Sequence, residues 1–385
     1  IRDRLAQDLL ALAVEASRNA PEESLRFARV QLAEERYSSA EEVLINALRR
    51  APGQPELLAT LGQVYLATAD WSRAEQVINS LRSFDVSAAR VAADDLQLQL
   101  ISQREGRESG IGFLEALVRD GSDQIAATVA LIQARLQDNR SAEALELATK
   151  LAADNADDPR ATMVLGNTHL ALGDLDAAET IFRSVLEQDS ENSIASLQLI
   201  RTLSVQGRLD EAKSVLSEGL AASPENPDLL WAEASFREQT NDFEGAIEVY
   251  EQLYALNTDN LVVANNLASL LVTYRSDDAS LERAAAVGKR LRGTEFAPFQ
   301  DTYGWLLYRQ DVYSEAVSYL EPAARALTDD PIVQYHLGKA YLALERPEDA
   351  LAQFEAAVEL AEDNDPRTQI AEARSEVERL SSADE

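Results

Sequence analysis

The sequence lacks cysteine altogether and has only two histidines among its 385 residues. The absence of cysteine excludes a disulfide framework, a thiolate metal site and a cysteine nucleophile. His169 and His336 are too few and too far apart in the chain for a two-histidine metal site. We therefore expect no metal and no cofactor.

Basic residues are scarce, with 35 Lys and Arg against 67 Asp and Glu and a formal net charge of −32. Nucleic acids and anionic lipid surfaces are both bound through basic side chains. This balance excludes nucleic acid as the main ligand. No apolar run approaches the roughly 18 residues of a membrane span, so we expect no direct membrane insertion by this chain.

Catalytic motifs are missing as well. The sequence contains no G-x-S-x-G nucleophile elbow, no Walker loop and no H-E-x-x-H zinc motif. Paired carboxylates are so common in this acidic chain that they indicate nothing. We therefore expect that the protein is not an enzyme.

What the sequence does have is a period of 34 residues, marked by small residues that recur in two sets. Two antiparallel helices that cross closely have no room for a branched side chain at the contact, so each set predicts one helix of a repeated pair. The first set is Ala28, Gly62, Gly166, Ala234, Ala268, Gly304 and Gly338. The second set is Ala40, Ala74, Gly110, Ala144, Ala178, Ala212, Ala246, Ala316 and Ala350.

Ten units follow from this register, with steps of 34 residues and two steps of 36. Apolar residues at helical spacing surround the small residues, and turn signals separate the helices. Proline often stands at the predicted first helical position, where its missing N–H costs nothing. No stretch alternates as a strand would, so the sequence predicts an all-α fold. The predicted units begin at Pro21, Pro55, Val91, Ile125, Pro159, Ser193, Pro227, Leu261, Ala297 and Pro331.

The unit from Pro331 resembles the tetratricopeptide repeat (TPR), with Gly338, Tyr341, Ala350 and Phe354 at the characteristic slots. The resemblance implies a right-handed α-solenoid of about ten helix-turn-helix units in one continuous superhelix over residues 21–365. Three units depart from the pattern, because a large residue takes the small slot of the first helix. These residues are Leu98, Ile132 and Ile200.

The two ends of the chain are expected to differ from the repeats. Residues 1–20 fit the second helix of a truncated repeat, with Ala6, Leu10 and Ala13 in register. The start at Ile1, without an export signal before it, suggests a processed or truncated chain. Residues 366–385 are expected to form a capping helix and a frayed acidic tail.

The first helices are expected to line the concave groove of the solenoid, and their ninth slot is polar in nearly every unit. Side-chain amides both donate and accept hydrogen bonds, which suits an extended polypeptide. The alternative is an ordinary solvated helix face. We call the first six of these residues the polar ladder: Arg29, Gln63, Gln99, Gln133, Asn167 and Arg201.

The inward slots of the last four units are rich in aromatic and polar residues, which we call the C-terminal cluster. Aromatic residues with polar tips are typical of binding hot spots. The alternative is that the two tryptophans pack between neighbouring helices. The cluster contains Trp231, Asn265, Asn266, Asp301, Trp305, Tyr308, Arg309, Tyr335, His336 and Lys339.

These observations predict a non-catalytic scaffold that binds a protein or peptide partner in the groove. One alternative is a polysaccharide-binding module, in which Trp231, Trp305 and Tyr335 stack on sugar rings; another is a regulatory region of a larger protein. The sequence from Leu261 also resembles TPR proteins of bacterial cell envelopes that are linked to exopolysaccharide export and PEP-CTERM-type sorting. That resemblance implies a periplasmic or envelope location, with the cytoplasm as the alternative.

Overall fold

Helices form nearly the whole of this computed structural model, which describes residues 10–120 and 124–382. Within these two ranges no residue belongs to a β-strand, so the all-α prediction is confirmed. By contact density the chain divides into unit 1, Ile1–Ile181, and unit 2, Phe182–Glu385. None of the helices described in either unit is long and apolar enough to cross a membrane.

The helices are of similar length, and most of them are joined by turns of a few residues. Up to the boundary between the units they are α1 (10–16), α2 (Pro21–Ala33), α3 (Tyr37–Arg50), α4 (Pro55–Ala67), α5 (Trp71–Arg82), α6 (Ser87–Glu105), α7 (Arg107–Asp120), α8 (Gln124–Gln137), α9 (Ser141–Asp154), α10 (Pro159–Leu172) and α11 (Leu175–Gln188). Then follow α12 (Ser193–Val205), α13 (Leu209–Ala222), α14 (Pro227–Gln239), α15 (Phe243–Leu256), α16 (Leu261–Tyr274), α17 (Asp278–Gly288), a 3-10 turn (Lys289–Leu291), α18 (Ala297–Arg309), α19 (Tyr313–Ala326), α20 (Pro331–Ala343), α21 (Pro347–Leu360) and α22 (Thr368–Ser381).

Most first helices start where the sequence predicts. Proline stands at the beginning of α2, α4, α10, α14 and α20, and Asn226 caps α14 by accepting from the backbone N–H groups of Asp228 and Leu229. The exceptions are α6, which begins at Ser87 rather than at Val91, and α8, which begins at Gln124 rather than at Ile125. Ala6 and the acidic tail 383–385 lie outside the described residues.

The small slots are buried at the helix crossings, as their spacing predicts. A Cβ on Gly304 would lie 2.7 Å from Leu320 Cγ and 3.2 Å from the carbonyl oxygen of Ala316. The unit with Leu98 in the first-helix slot is compensated in its second helix, where a Cβ on Gly110 would lie 2.2 Å from Ser102 Oγ. Gly110 stands where the other members of the second set are alanine, and α6 and α7 still pack together.

The turn inside most helix pairs contains one residue with a left-handed backbone. Around Ala69 the chain forms a Schellman motif, because Asp70 N–H donates to the carbonyl of Tyr65 and Ala69 N–H to that of Leu66. Asp70 then caps α5 by accepting from Arg73 N–H. The pairs α6/α7 and α16/α17 lack this turn. The left-handed residues are Glu35, Ala69, Asn139, Gly173, Gly207, Asn241, Asp311 and Glu345.

We expect Gly338→Ala to lower the free energy of unfolding by about 1–3 kcal/mol, because its Cβ would lie 2.8 Å from the buried ring of Phe354. Gly112→Ala is the matched control within α7, where a Cβ meets nothing within 4 Å. That change should instead stabilise by about 0.5–1 kcal/mol through helix propensity. Urea denaturation of both variants measures the contrast, and equal effects would contradict the close crossing.

Candidate functional site

The polar ladder lies on the exposed side of the first helices. In unit 1 the side chains of Arg29, Gln63, Gln99, Gln133 and Asn167 are all exposed, one on each first helix from α2 to α10. In unit 2 Arg201 on α12 is exposed as well. Amides and guanidinium groups at one slot of successive helices can pair with the backbone of an extended chain.

The C-terminal cluster divides into three groups within unit 2, and the first is a stack of rings around Trp305. The indole is only 8% exposed. Tyr308 lies 4.6 Å from it between ring centroids and His336 4.1 Å, both nearly parallel to it. Asp301 holds the imidazole, with its carboxylate oxygens 2.9 and 3.1 Å from His336 Nδ1. This group therefore packs between α18 and α20.

The second group is covered by the capping helix α22. Tyr335 Oη donates to Glu372 Oε2 at 2.5 Å, and Lys339 Nζ donates to Glu372 Oε1 at 2.5 Å. Burial, reinforced by this carboxylate, raises the pKa of Tyr335. Burial opposes ionisation of Glu372, yet the hydrogen bonds from Lys339 and Tyr335 outweigh it and lower the pKa of that carboxyl. Arg309 is similarly engaged, because its guanidinium donates to the carbonyl of Val272.

The third group surrounds Trp231, which is 38% exposed. Its indole packs edge-on against Tyr250, with ring centroids 5.8 Å apart. Tyr250 Oη donates to Glu238 Oε1 and accepts from Asn266 Nδ2, while Asn265 Nδ2 donates to Asn266 Oδ1. The structure thus joins three predicted residues in one group.

Tyr250 and Glu372 are not among the residues predicted from the sequence, because neither lies on a first helix. Tyr250 occupies the buried face of α15, where its hydroxyl needs a polar partner. A buried tyrosine hydroxyl needs a polar partner, and this requirement could have indicated Tyr250 from the sequence. Glu372 belongs to α22, whose contacts no repeat register predicts.

A groove of about 660 Å³ among α7, α8 and α9 was also missed. Its lining includes Leu131, Leu147 and the side chain of Arg135, which is 6% exposed and pairs with Glu115 and Glu143. The buried charge is therefore already compensated inside unit 1. Across the described ranges no group of three or more His, Asp and Glu residues could hold a metal ion.

Paired helices that cross closely at small residues define a helical-repeat solenoid. Comparison with known proteins identifies the kind of repeat. Two tetratricopeptide repeat models match, one over residues 31–94 and 169–234 and the other over 129–193 and 304–365. Together they cover more than half of the chain. The chain belongs to the tetratricopeptide repeat family.

Relatives within the family are distant. Cellulose synthase operon protein C of Pseudomonas fluorescens SBW25 is 26% identical over 65% of this chain and 21% of its own length. Cellulose synthase 1 operon protein C of Komagataeibacter xylinus is 29% identical over 31% of this chain and 10% of its own. The chain thus spans about a fifth or less of these curated relatives.

Among solved structures, a thermophilic TPR protein of Thermus thermophilus is 27% identical over 47% of this chain and 97% of its own, with a TM-score of 0.36. That low TM-score supports no conclusion beyond the family.

We expect Trp305→Ala to destabilise unit 2 by about 3–5 kcal/mol, because it leaves a large cavity under Tyr308 and His336. Trp231→Ala should cost less than about 1 kcal/mol, since more of this indole already faces solvent. Chemical denaturation followed by circular dichroism separates the two variants. A small loss for Trp305→Ala would show that the stack does not support the fold.

We expect Glu372→Gln to lower the free energy of unfolding by about 0.5–1 kcal/mol at neutral pH, a value discounted because this side chain is 45% exposed. A lowered pKa means that the contribution is present above the unfolded-state pKa and is lost as pH falls through the folded-state pKa. The difference from the wild type should therefore be largest at neutral pH and shrink as the pH is lowered into the acidic range. Glu355→Gln, an exposed change on α21, should make no difference at neutral or acidic pH.

Proposed function

We propose that this chain is a non-catalytic scaffold that binds an extended segment of another protein along the exposed side of its first helices. The observation that carries the proposal is the polar ladder of unit 1, where five successive first helices expose a polar side chain at the same slot. A repeat fold offers such a surface as a matter of course, because each unit adds one more first helix.

The chemistry of the polar ladder favours a polypeptide. An extended backbone offers both N–H and C=O groups, and the amides of Gln63, Gln99, Gln133 and Asn167 can pair with either. The four amides stand on the first helices of four successive units, which suits a ligand that runs across several units. A compact small molecule would contact only one or two of them.

The sugar-stacking alternative receives less support from the same structure. Trp305 and Tyr335, two of the three rings proposed to stack on sugars, are 8% and 4% exposed. Their polar neighbours are used inside unit 2, where Asp301 pairs with His336 and Glu372 with Lys339. Of these three rings, only Trp231 is exposed.

We further propose that the scaffold works in the bacterial cell envelope, in the assembly of an exopolysaccharide machine. The support is the name of two matched relatives, which are proteins of cellulose synthase operons. Recovery of the native protein with periplasmic rather than cytoplasmic marker enzymes would test this setting. Recovery with the cytoplasmic markers would contradict it.

The triple change Gln63→Ala, Gln99→Ala and Gln133→Ala should weaken binding of the partner by at least about tenfold, because three hydrogen-bonding side chains are lost. The control is Gln76→Ala with Asn79→Ala, which removes two exposed amides from the second helix α5. Partners are cross-linked and captured from the native organism, identified, and their affinities measured. Equal affinities for the triple variant and the control would contradict the proposed surface.

A further inference from the structure

The first helices α14 and α16 are spaced differently from the others in unit 2. The pairs α12 and α14, α16 and α18, and α18 and α20 all pack directly, whereas no Cα atom of α14 lies within 8 Å of one in α16. Tyr250 of α15 fills part of the interval and bonds to both sides, to Glu238 on α14 and to Asn266 on α16. We call this interval the α14/α16 notch.

A directional chain of hydrogen bonds crosses the notch. Tyr250 O–H donates to Glu238 Oε1 at 2.6 Å, and Tyr250 Oη accepts from Asn266 Nδ2 at 2.9 Å. Asn266 Oδ1 in turn accepts from Asn265 Nδ2 at 3.2 Å. Burial, and then the bond to Glu238, raise the pKa of Tyr250, so its hydroxyl keeps the proton that sets the direction of the chain.

The consequence is a fixed acceptor at the end of the chain. Because Asn265 uses its NH₂ group to donate to Asn266, its Oδ1 must point away from that bond. This oxygen is buried and has no hydrogen-bond partner within the described parts of the chain. Asn265 as a whole is only half-buried, so a shift of the side chains that cover it, of the kind common at interfaces, would uncover the oxygen while the bond to Asn266 keeps Asn265 in place.

The surroundings of this acceptor specify its ligand further. Trp231 takes the slot on α14 that Asn265 takes on α16, and its indole is the one exposed tryptophan ring of the C-terminal cluster. Asp228 lies one turn before Trp231 on α14 and is exposed. The net charge of −32 attracts a cationic partner over longer distances.

We infer that the α14/α16 notch is a specificity subsite for a basic polypeptide segment, which donates a backbone N–H to Asn265 Oδ1 and lays an apolar side chain on Trp231. A Lys or Arg beside the apolar residue pairs with Asp228. The inference rests on the proposed function, since it assumes a polypeptide partner. Tyr250 and Asn266 are positioning residues, because they act only by orienting Asn265.

The test begins with selection from a display library of random 12-residue peptides against the whole chain. Enriched peptides are expected to carry Lys or Arg next to a large apolar residue. The best peptide is then synthesised, and its affinity is measured by fluorescence anisotropy. Trp231→Ala should weaken binding at least about tenfold, and the affinity should fall as salt is raised. Tyr274→Ala, a control that removes an exposed ring from the far end of α16, should leave it unchanged.

The role of the hydrogen-bond chain is tested by N-methylation of each peptide backbone nitrogen in turn. One N-methyl group should cost the wild type about three- to tenfold in affinity, because it removes the donor to Asn265. The same N-methyl group should cost little in Asn265→Leu or Tyr250→Phe, since these variants have already lost the oriented acceptor. A purely structural effect of Tyr250→Phe would weaken both peptides equally, and that result would overturn the positioning role.

Failure of this inference can be told apart from failure of the proposed function. Peptides whose binding depends on the polar ladder but not on Trp231 or Asn265 would overturn the notch alone. Peptides that need Trp231 but are acidic would overturn its preference for a basic partner. A selection that yields no peptide dependent on either surface would overturn the proposed function as well.

Discussion

Each helix pair in this chain depends on a close crossing at which one residue has to be small. The requirement is strict, because a single Cβ on Gly304 or Gly338 would come within 3 Å of a buried side chain of the partner helix. Since the crossing fixes the rotation of each helix, it also fixes which slots face outward. The exposed positions of Gln63 and Gln133 are therefore consequences of the same contact that holds the pairs together.

Where the residues at a helix crossing differ from the usual pattern, only the neighbouring helices differ in length or spacing. The unit with Leu98 in the first-helix slot has glycine rather than alanine in its second-helix slot, and its first helix is longer than the others. The pair α16 and α17 belongs to a unit of 36 residues, and the spacing between α14 and α16 lies next to it. Irregular units thus alter the surface without ending the repeat, because each unit packs mainly on its immediate neighbours.

Three aromatic residues of the C-terminal cluster differ in burial and in contacts within unit 2. Trp305 is stacked between helices, Tyr335 is bound by the capping helix, and Trp231 stays partly exposed. Trp231 and Tyr335 occupy the same slot, the fifth of their first helices, so slot alone does not explain why one is exposed and the other buried. What differs is the helix that packs next to each ring: α20 covers Trp305 and α22 covers Tyr335, whereas no Cα atom of α16 comes within 8 Å of the helix that carries Trp231.

By itself the sequence determined the all-α fold, the period, the family and most helix starts, because these depend on local spacing and on residue volume. Even so, it placed the start of α6 four residues late, at Val91 instead of Ser87, and left the left-handed turns at Ala69 and Asp311 undetected, since neither is glycine. Only the tertiary structure decided which side chains of the C-terminal cluster stay accessible. That outcome depends on partners distant in sequence, such as Glu372 with Tyr335 and Tyr250 with Asn266, and no repeat period specifies such contacts.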